Sequence, residues 1–176
     1  AHALGIIGSE GRGLCFGLSN CINIISGTFG KAFGSGGAFL ACDKSTGEQL
    51  LQNSGAFRYT TALAPPLTAA ALAALQLIKT HPTWGKELQE TAQDWRRCLR
   101  NQGWTIPNGF GPILPLLIGS DMQTITLQNQ LEAAGLLSVA IRPPTVPEGT
   151  SRLRIVIRRN LPKQTLKNLL NALNNK

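Results

Sequence analysis

Residues 26–37 read Ser26-Gly27-Thr28-Phe29-Gly30-Lys31-Ala32-Phe33-Gly34-Ser35-Gly36-Gly37. One lysine stands there among glycines and small residues, with two hydroxyls just before it. Three kinds of chemistry compete for such a segment. A phosphate-binding P-loop needs G-x-x-x-x-G-K-[ST]; here Ala32 follows Gly30-Lys31 and the preceding glycine is Gly27, so the spacing fails. The dinucleotide fingerprint fails as well, because Gly11-Arg12-Gly13 is followed by Gly17, one residue too far. What remains is a lysine among small residues between two apolar runs, and one use of such a lysine is a Schiff base with a carbonyl, which needs it held where loss of its proton is eased. A phosphorylated aldehyde would add a need for hydroxyls and backbone N–H groups, which Ser26, Thr28 and the glycines offer. On the residues alone, a plain surface lysine in a glycine-rich loop stands beside this reading.

The elements around the loop must hold it. Ile22 to Ser26 and Gly37 to Cys42 are short apolar runs that predict buried strands on either side. Loops held by rigid strands are where function concentrates. Residues 1 to about 64 are otherwise glycine-rich. Pro65-Pro66 opens a helix whose stretch Ala69 to Ile78 is nearly all Ala and Leu, which predicts burial on most sides. A polar helix follows from about Thr83 to Asn101, with Trp95 and Leu99 on its inner face, and Gly103 stops it. Beyond residue 104 the pattern predicts a strand over 113–118 and a helix capped by Ser120 with Gln123, running to Gly135. A strand over 136–141 follows. Another over 152–158 has Leu153, Ile155 and Ile157 on one face, and a last helix carries a stripe of Leu166, Leu169, Leu170 and Leu173.

Four segments, in order, resemble the α-oxoamine synthases, a family of fold-type I enzymes that use pyridoxal 5'-phosphate (PLP). The lysine loop is one. Ala1-His2 followed by Gly11-Arg12-Gly13 is the second, and its spacing to Lys31 fits. The third is Phe57-Arg58-Tyr59-Thr60-Thr61-Ala62-Leu63-Ala64-Pro65-Pro66. The fourth is Ala140-Ile141-Arg142-Pro143-Pro144-Thr145-Val146-Pro147, then Gly149-Thr150-Ser151-Arg152-Leu153-Arg154. This last form is typical of the branch that condenses L-alanine with a pimeloyl thioester, on CoA or acyl carrier protein, in biotin biosynthesis. The resemblance covers essentially the whole chain.

It implies an α/β fold: residues 1–103 as the C-terminal part of a large PLP-binding domain with its connecting helix, and 104–176 as a small C-terminal α/β domain. It implies that Lys31 carries PLP as a Schiff base and acts as the base at the substrate Cα. His2 would hydrogen-bond the cofactor's phenolic oxygen, and Thr28 would bind its phosphate. Thr61, or its neighbour Thr60, would reach the phosphate of a partner subunit's cofactor, so a homodimer is expected. Arg142 would hold the amino-acid carboxylate with its guanidinium fork, and Thr145 would line the substrate site. The family's aspartate for the pyridinium nitrogen would precede Ala1. With no initiator Met in view, the sequence is expected to be a piece of a longer enzyme with little activity alone. Other members of the family, of the glycine acetyltransferase or aminolevulinate synthase type, remain open, as does a non-catalytic basic binding module.

Composition narrows the field. The 176 residues are 43% hydrophobic and 15% charged, with a net charge of +8. The basic residues are scattered; the densest group, Arg152, Arg154, Arg158 and Arg159, has no interleaved aromatics, so no nucleic-acid partner is expected. No apolar run reaches the roughly 18 residues that span a bilayer, and no signal peptide opens the chain, so no membrane partner is expected. Cys15, Cys21, Cys42 and Cys98 form no C-x-x-C pair, and His2 and His81 complete no metal-ligand spacing. They read as reduced, buried thiols of a cytoplasmic protein with no metal.

Overall fold

The computed structural model describes residues 1–18 and 21–174. The chain divides into two compact units, Ala1–Lys86 and Glu87–Lys176.

The first unit opens with glycine-punctuated turns and one short 3-10 turn at Ser9–Gly11. Strands β1 (Ile24–Thr28) and β2 (Ala38–Cys42) pair antiparallel, with Ser26 opposite Leu40 and Thr28 opposite Ala38. The loop of residues 29–37 joins them. Two short helices follow, α1 (Lys44–Asn53) and α2 (Gly55–Arg58). Helix α1 lies in a stretch where the sequence reading places no helix. Its signal is Asp43, whose side chain accepts hydrogen bonds from the Thr46 backbone N–H at 3.0 Å and the Thr46 hydroxyl at 2.7 Å. These bonds hold the Asp43 carboxyl below the usual carboxylate range, the hydroxyl contributing most.

Helix α3 spans Pro65–Thr80, with prolines in its first turn where their missing N–H is harmless. The expected burial of this Ala/Leu helix is corrected by the structure. Ala71 alone is buried, while Leu72, Leu75 and Leu77 are exposed. An apolar pattern states only that a side chain would be more stable covered; burial also needs a neighbour, and few described residues of this unit lie over α3.

The second unit holds most of α4 (Trp84–Asn101) and a three-stranded antiparallel sheet of order β3-β5-β4. The strands are β3 (Ile113–Gly119), β4 (Val139–Ile141) and β5 (Ser151–Val156). Helices α5 (Asp121–Ala133) and α6 (Thr165–Asn174) complete it. Register fixes the inner face: Leu114 pairs with Ile155, Leu116 with Leu153, and Ala140 with Leu153. Leu114, Leu116, Leu131, Leu153 and Leu173 are fully buried, joined by Leu88, Ala92, Trp95 and Leu99 of α4. Trp95 and Leu99 thus share the inner face expected of them. Gly103, at φ 85°, follows the end of α4, a backbone conformation that a side chain would strain. The Ser120 hydroxyl accepts from the Gln123 backbone N–H, as its N-cap position predicts.

Arg96 of α4 is buried, 2% exposed. Its Nη2 donates to the carbonyls of Gly111 and Ile113 at 3.0 and 2.9 Å, while Nε and Nη1 have no partner among the described residues. Burial, with the like charge of Arg100, lowers its pKa.

All four cysteines are free thiols, but Cys21 is exposed and Cys15, Cys42 and Cys98 are half-buried, which corrects the expectation of buried thiols. Apolar neighbours in sequence do not cover a side chain when the strand face that bears it lies open, as Ile24 and Leu40 of the β1–β2 pair do. Among the described residues, no helix is long and apolar enough to cross a membrane. No group of three or more His, Cys, Asp or Glu among them could hold a metal.

Candidate functional site

Lys31 sits in the loop of residues 29–37, and its side chain is exposed. Backbone bonds close the loop beneath it. The Phe29 N–H donates to Gly37 O at 2.9 Å, the Ser35 N–H to Phe29 O at 2.8 Å, and the Gly34 N–H to Lys31 O at 2.9 Å. Phe29 packs edge-on to Phe33, with ring centroids 5.3 Å apart, and against Phe39 of β2 at 5.5 Å. Phe33 is buried, so the loop has a small aromatic anchor of its own. This cluster is missing from the sequence reading; Phe29 and Phe33, four apart among glycines, are the signal for it.

Thr28 ends β1. Its hydroxyl donates to Gly37 O at 3.2 Å and accepts the Gly30 N–H at 3.1 Å. Ser26 lies two residues earlier on the same strand, and alternation puts both hydroxyls on one face.

Two further segments lie against the loop. A Cβ placed on Gly5 would lie 2.8 Å from Cβ of Ala32, so the stretch that begins Ala1-His2 runs beside the residue following the lysine. His2 itself is exposed. The Ser35 hydroxyl donates to Leu67 O at 2.6 Å, and Leu63 and Leu67 lie over Gly37 and Gly36. That brings the start of α3, just after Thr60 and Thr61, to the lysine loop. Both threonines are exposed.

Arg142 and Thr145 belong to the second unit. They follow β4 in a turn where the Thr145 N–H donates to Arg142 O at 3.0 Å and the Pro143–Pro144 peptide is cis. Both side chains are exposed. In this geometry the first unit offers an exposed primary amine on an anchored loop with a strand-end hydroxyl behind it. The second offers a guanidinium on a proline-stiffened turn, suited to a carboxylate.

The family model described as aminotransferase class I and II matches residues 1–173. The chain is 40% identical over 155 residues to a putative 8-amino-7-oxononanoate synthase of Magnetococcus marinus, a match covering 88% of this chain and 39% of that protein. It is 38% identical over 176 residues to the 8-amino-7-oxononanoate synthase of Pseudomonas savastanoi pv. phaseolicola, covering 98% of this chain and 44% of that one. The chain therefore spans well under half the length of these relatives. Among solved structures, the 8-amino-7-oxononanoate synthase of Francisella tularensis superposes with a TM-score of 0.83 at 26% identity, over 98% of this chain and 51% of that one. A serine palmitoyltransferase of Sphingomonas wittichii gives 0.89 at 23% identity, over 98% and 44%, and speaks for the fold alone. The α/β fold and the family match agree: this chain belongs to the aminotransferase class I and II family.

Proposed function

We propose that the chain carries the PLP lysine and the substrate-carboxylate arginine of an 8-amino-7-oxononanoate synthase, the enzyme that joins L-alanine to a pimeloyl thioester in biotin biosynthesis. The observation that carries this reading is the exposed Lys31 on a loop anchored by the Phe29–Phe33–Phe39 cluster and the Thr28 hydroxyl. The donor set fits PLP: a primary amine for its aldehyde, Gly30 and Ala32 too small to shield that amine, and a hydroxyl at the strand end for its phosphate.

When bound, PLP supplies an electron sink for the negative charge that develops at the substrate Cα. Lys31 Nζ would hold the cofactor covalently and, once free of it, would take the proton from Cα of alanine. Thr28 would offer its hydroxyl to the phosphate. Thr61, or Thr60, reaches the phosphate held by a partner subunit in a homodimer. His2 hydrogen-bonds the phenolic oxygen. Arg142 clamps the alanine carboxylate through two parallel N–H bonds, with Thr145 beside it. With the cofactor in place, Cα would form its bond to the thioester carbonyl carbon while the carbon–sulfur bond breaks, releasing the thiol of CoA or a carrier protein. The carboxylate would then leave as CO2, and Lys31 Nζ would return to Cα the proton that it took, giving the amino ketone. We assign residues 1–103 to the large domain and its connecting helix, residues 104–176 to the small domain, and the enzyme to the cytoplasm.

The test is a titration of the chain with PLP, followed by the visible absorbance of the lysine-bound cofactor. After borohydride reduction, peptide mapping is expected to find the label on Lys31, and Lys31→Ala is expected to abolish both signals. Label on another lysine, or an unchanged band in Lys31→Ala, overturns the assignment.

A further inference from the structure

We infer that Ser35 is a positioning residue, fastening the Lys31 loop to the first turn of α3 and so setting the lysine against the segment that bears Thr60 and Thr61. The inference rests on the cofactor reading of Lys31 and adds a residue to which neither the motifs nor the relatives assign a role.

Ser35 is pinned from two sides. Its backbone N–H closes the loop onto Phe29 O at 2.8 Å, and its hydroxyl reaches Leu67 O at 2.6 Å, across 32 residues of sequence. The Leu67 carbonyl sits in the first turn of α3, and a carbonyl oxygen can accept a second bond beside its helical one. The two following residues make the fit close. A Cβ on Gly36 would stand 3.2 Å from Leu67 Cδ1, and one on Gly37 would stand 3.0 Å from Leu63 Cδ2. Gly37 also has φ 91°, where a side chain is strained. The glycines therefore let the loop lie flat on Leu63 and Leu67, and the Ser35 hydroxyl is the directional bond across that contact.

Apolar contact alone permits sliding; a hydrogen bond selects one register. Lys31 lies four residues before Ser35, joined to it through the turn bond from the Gly34 N–H to Lys31 O and past the buried Phe33 ring. The cofactor on Lys31 would meet the Thr60–Thr61 segment of a partner subunit, so the loop must keep one place on its own α3 for the two to register, since sub-ångström placement governs reactivity. The tie through Ser35 supplies that constraint within the first unit.

The experiment compares the full chain with Ser35→Ala and Ser35→Thr in two measurements. Hydrogen exchange without cofactor is expected to speed up about fivefold over residues 29–37 in Ser35→Ala, the effect of one neutral hydrogen bond. Ser35→Thr, which keeps the hydroxyl, is expected to exchange like the parent. In a PLP titration read by the absorbance of the lysine-bound cofactor, the half-saturation point is expected to rise by a similar factor in Ser35→Ala and to return in Ser35→Thr. Unchanged exchange in Ser35→Ala, or a threonine variant that behaves like the alanine one, overturns the inference. Faster exchange with an unmoved titration overturns the positioning role and leaves Ser35 as a structural tie. If the parent forms no lysine-bound band, the cofactor reading and the positioning role built on it both fall, and the exchange arm alone decides whether Ser35 ties the loop.

Discussion

The two units solve the burial problem differently. In Glu87–Lys176 the sheet and helices enclose a layer of leucines with no exposure; of the polar residues buried there, Thr124 and Ser151 are hydrogen-bonded, Arg96 is bonded in part, and the Ser138 hydroxyl has no partner among the described residues. In Ala1–Lys86 the buried hydrophobic side chains among the described residues are Phe33 and Ala71, while Phe16, Phe57, Tyr59, Leu72 and Leu77 lie open to solvent. The second unit has a core of its own. The first has the apolar faces of a core without the layer that would cover them, and it is the unit that carries the candidate cofactor lysine. Architecture is built from layers packed on one another, so a unit can hold a well-formed loop and still lack most of its burial energy.

The sharpest way to break this contrast is a pair of matched truncations. Leu99→Ala removes a side chain with 0% exposure and is expected to cost about 2–5 kcal/mol in denaturant unfolding. Leu72→Ala on α3, where the side chain is 58% exposed, is expected to fall within about 0.5 kcal/mol. Equal costs at the two sites would show that α3 is covered in solution, for instance by association of the chain. A smaller effect tests the polar side of the second unit. Arg96→Met leaves the Gly111 and Ile113 carbonyls without their buried donor, an expected loss of about 1–3 kcal/mol. A change near zero in thermal unfolding would mean that the cost of desolvating the guanidinium offsets its two bonds.

The smallest effect belongs to the first unit, at the Asp43 cap of α1. Its carboxyl is lowered in the folded state, chiefly by the Thr46 hydroxyl. The cap therefore contributes above the carboxyl's unfolded value and is lost as pH falls through the folded one. Acidification is expected to release the α1 amides in hydrogen exchange before those of α4, and Asp43→Asn is expected to remove that pH step. Early release of α4 instead would place the acid-sensitive region in the wrong unit.

Local features proved legible where their cause is local. Pro65-Pro66 marks the start of α3, Ser120 caps α5, Gly103 follows the end of α4, and the alternation of Leu153, Ile155 and Ile157 places all three on the buried face. Helix α1 leaves little trace in the sequence because its turns are polar and its one strong signal, Asp43 with Thr46, is a cap without an apolar stripe behind it. The strand expected over 136–141 is trimmed to Val139–Ile141 because pairing with β5, rather than apolar content, decides where a ladder ends. The exposure of α3 and of the thiols was illegible for a related reason: composition gives the preference for burial, and only the presence of a neighbour satisfies it.

The amino-acid sequence by itself determined the lysine loop, the presence but not the expected burial of its flanking strands, the order of the four motifs and the family they indicate, because each rests on residue types at short spacings. Tertiary structure decided what the loop leans on. The Thr28 bond to Gly37, the rings of Phe29, Phe33 and Phe39, and the reach of Ser35 to Leu67 depend on the path of the chain between them. A hydroxyl's partner 32 residues away is set by packing, and no local pattern encodes it.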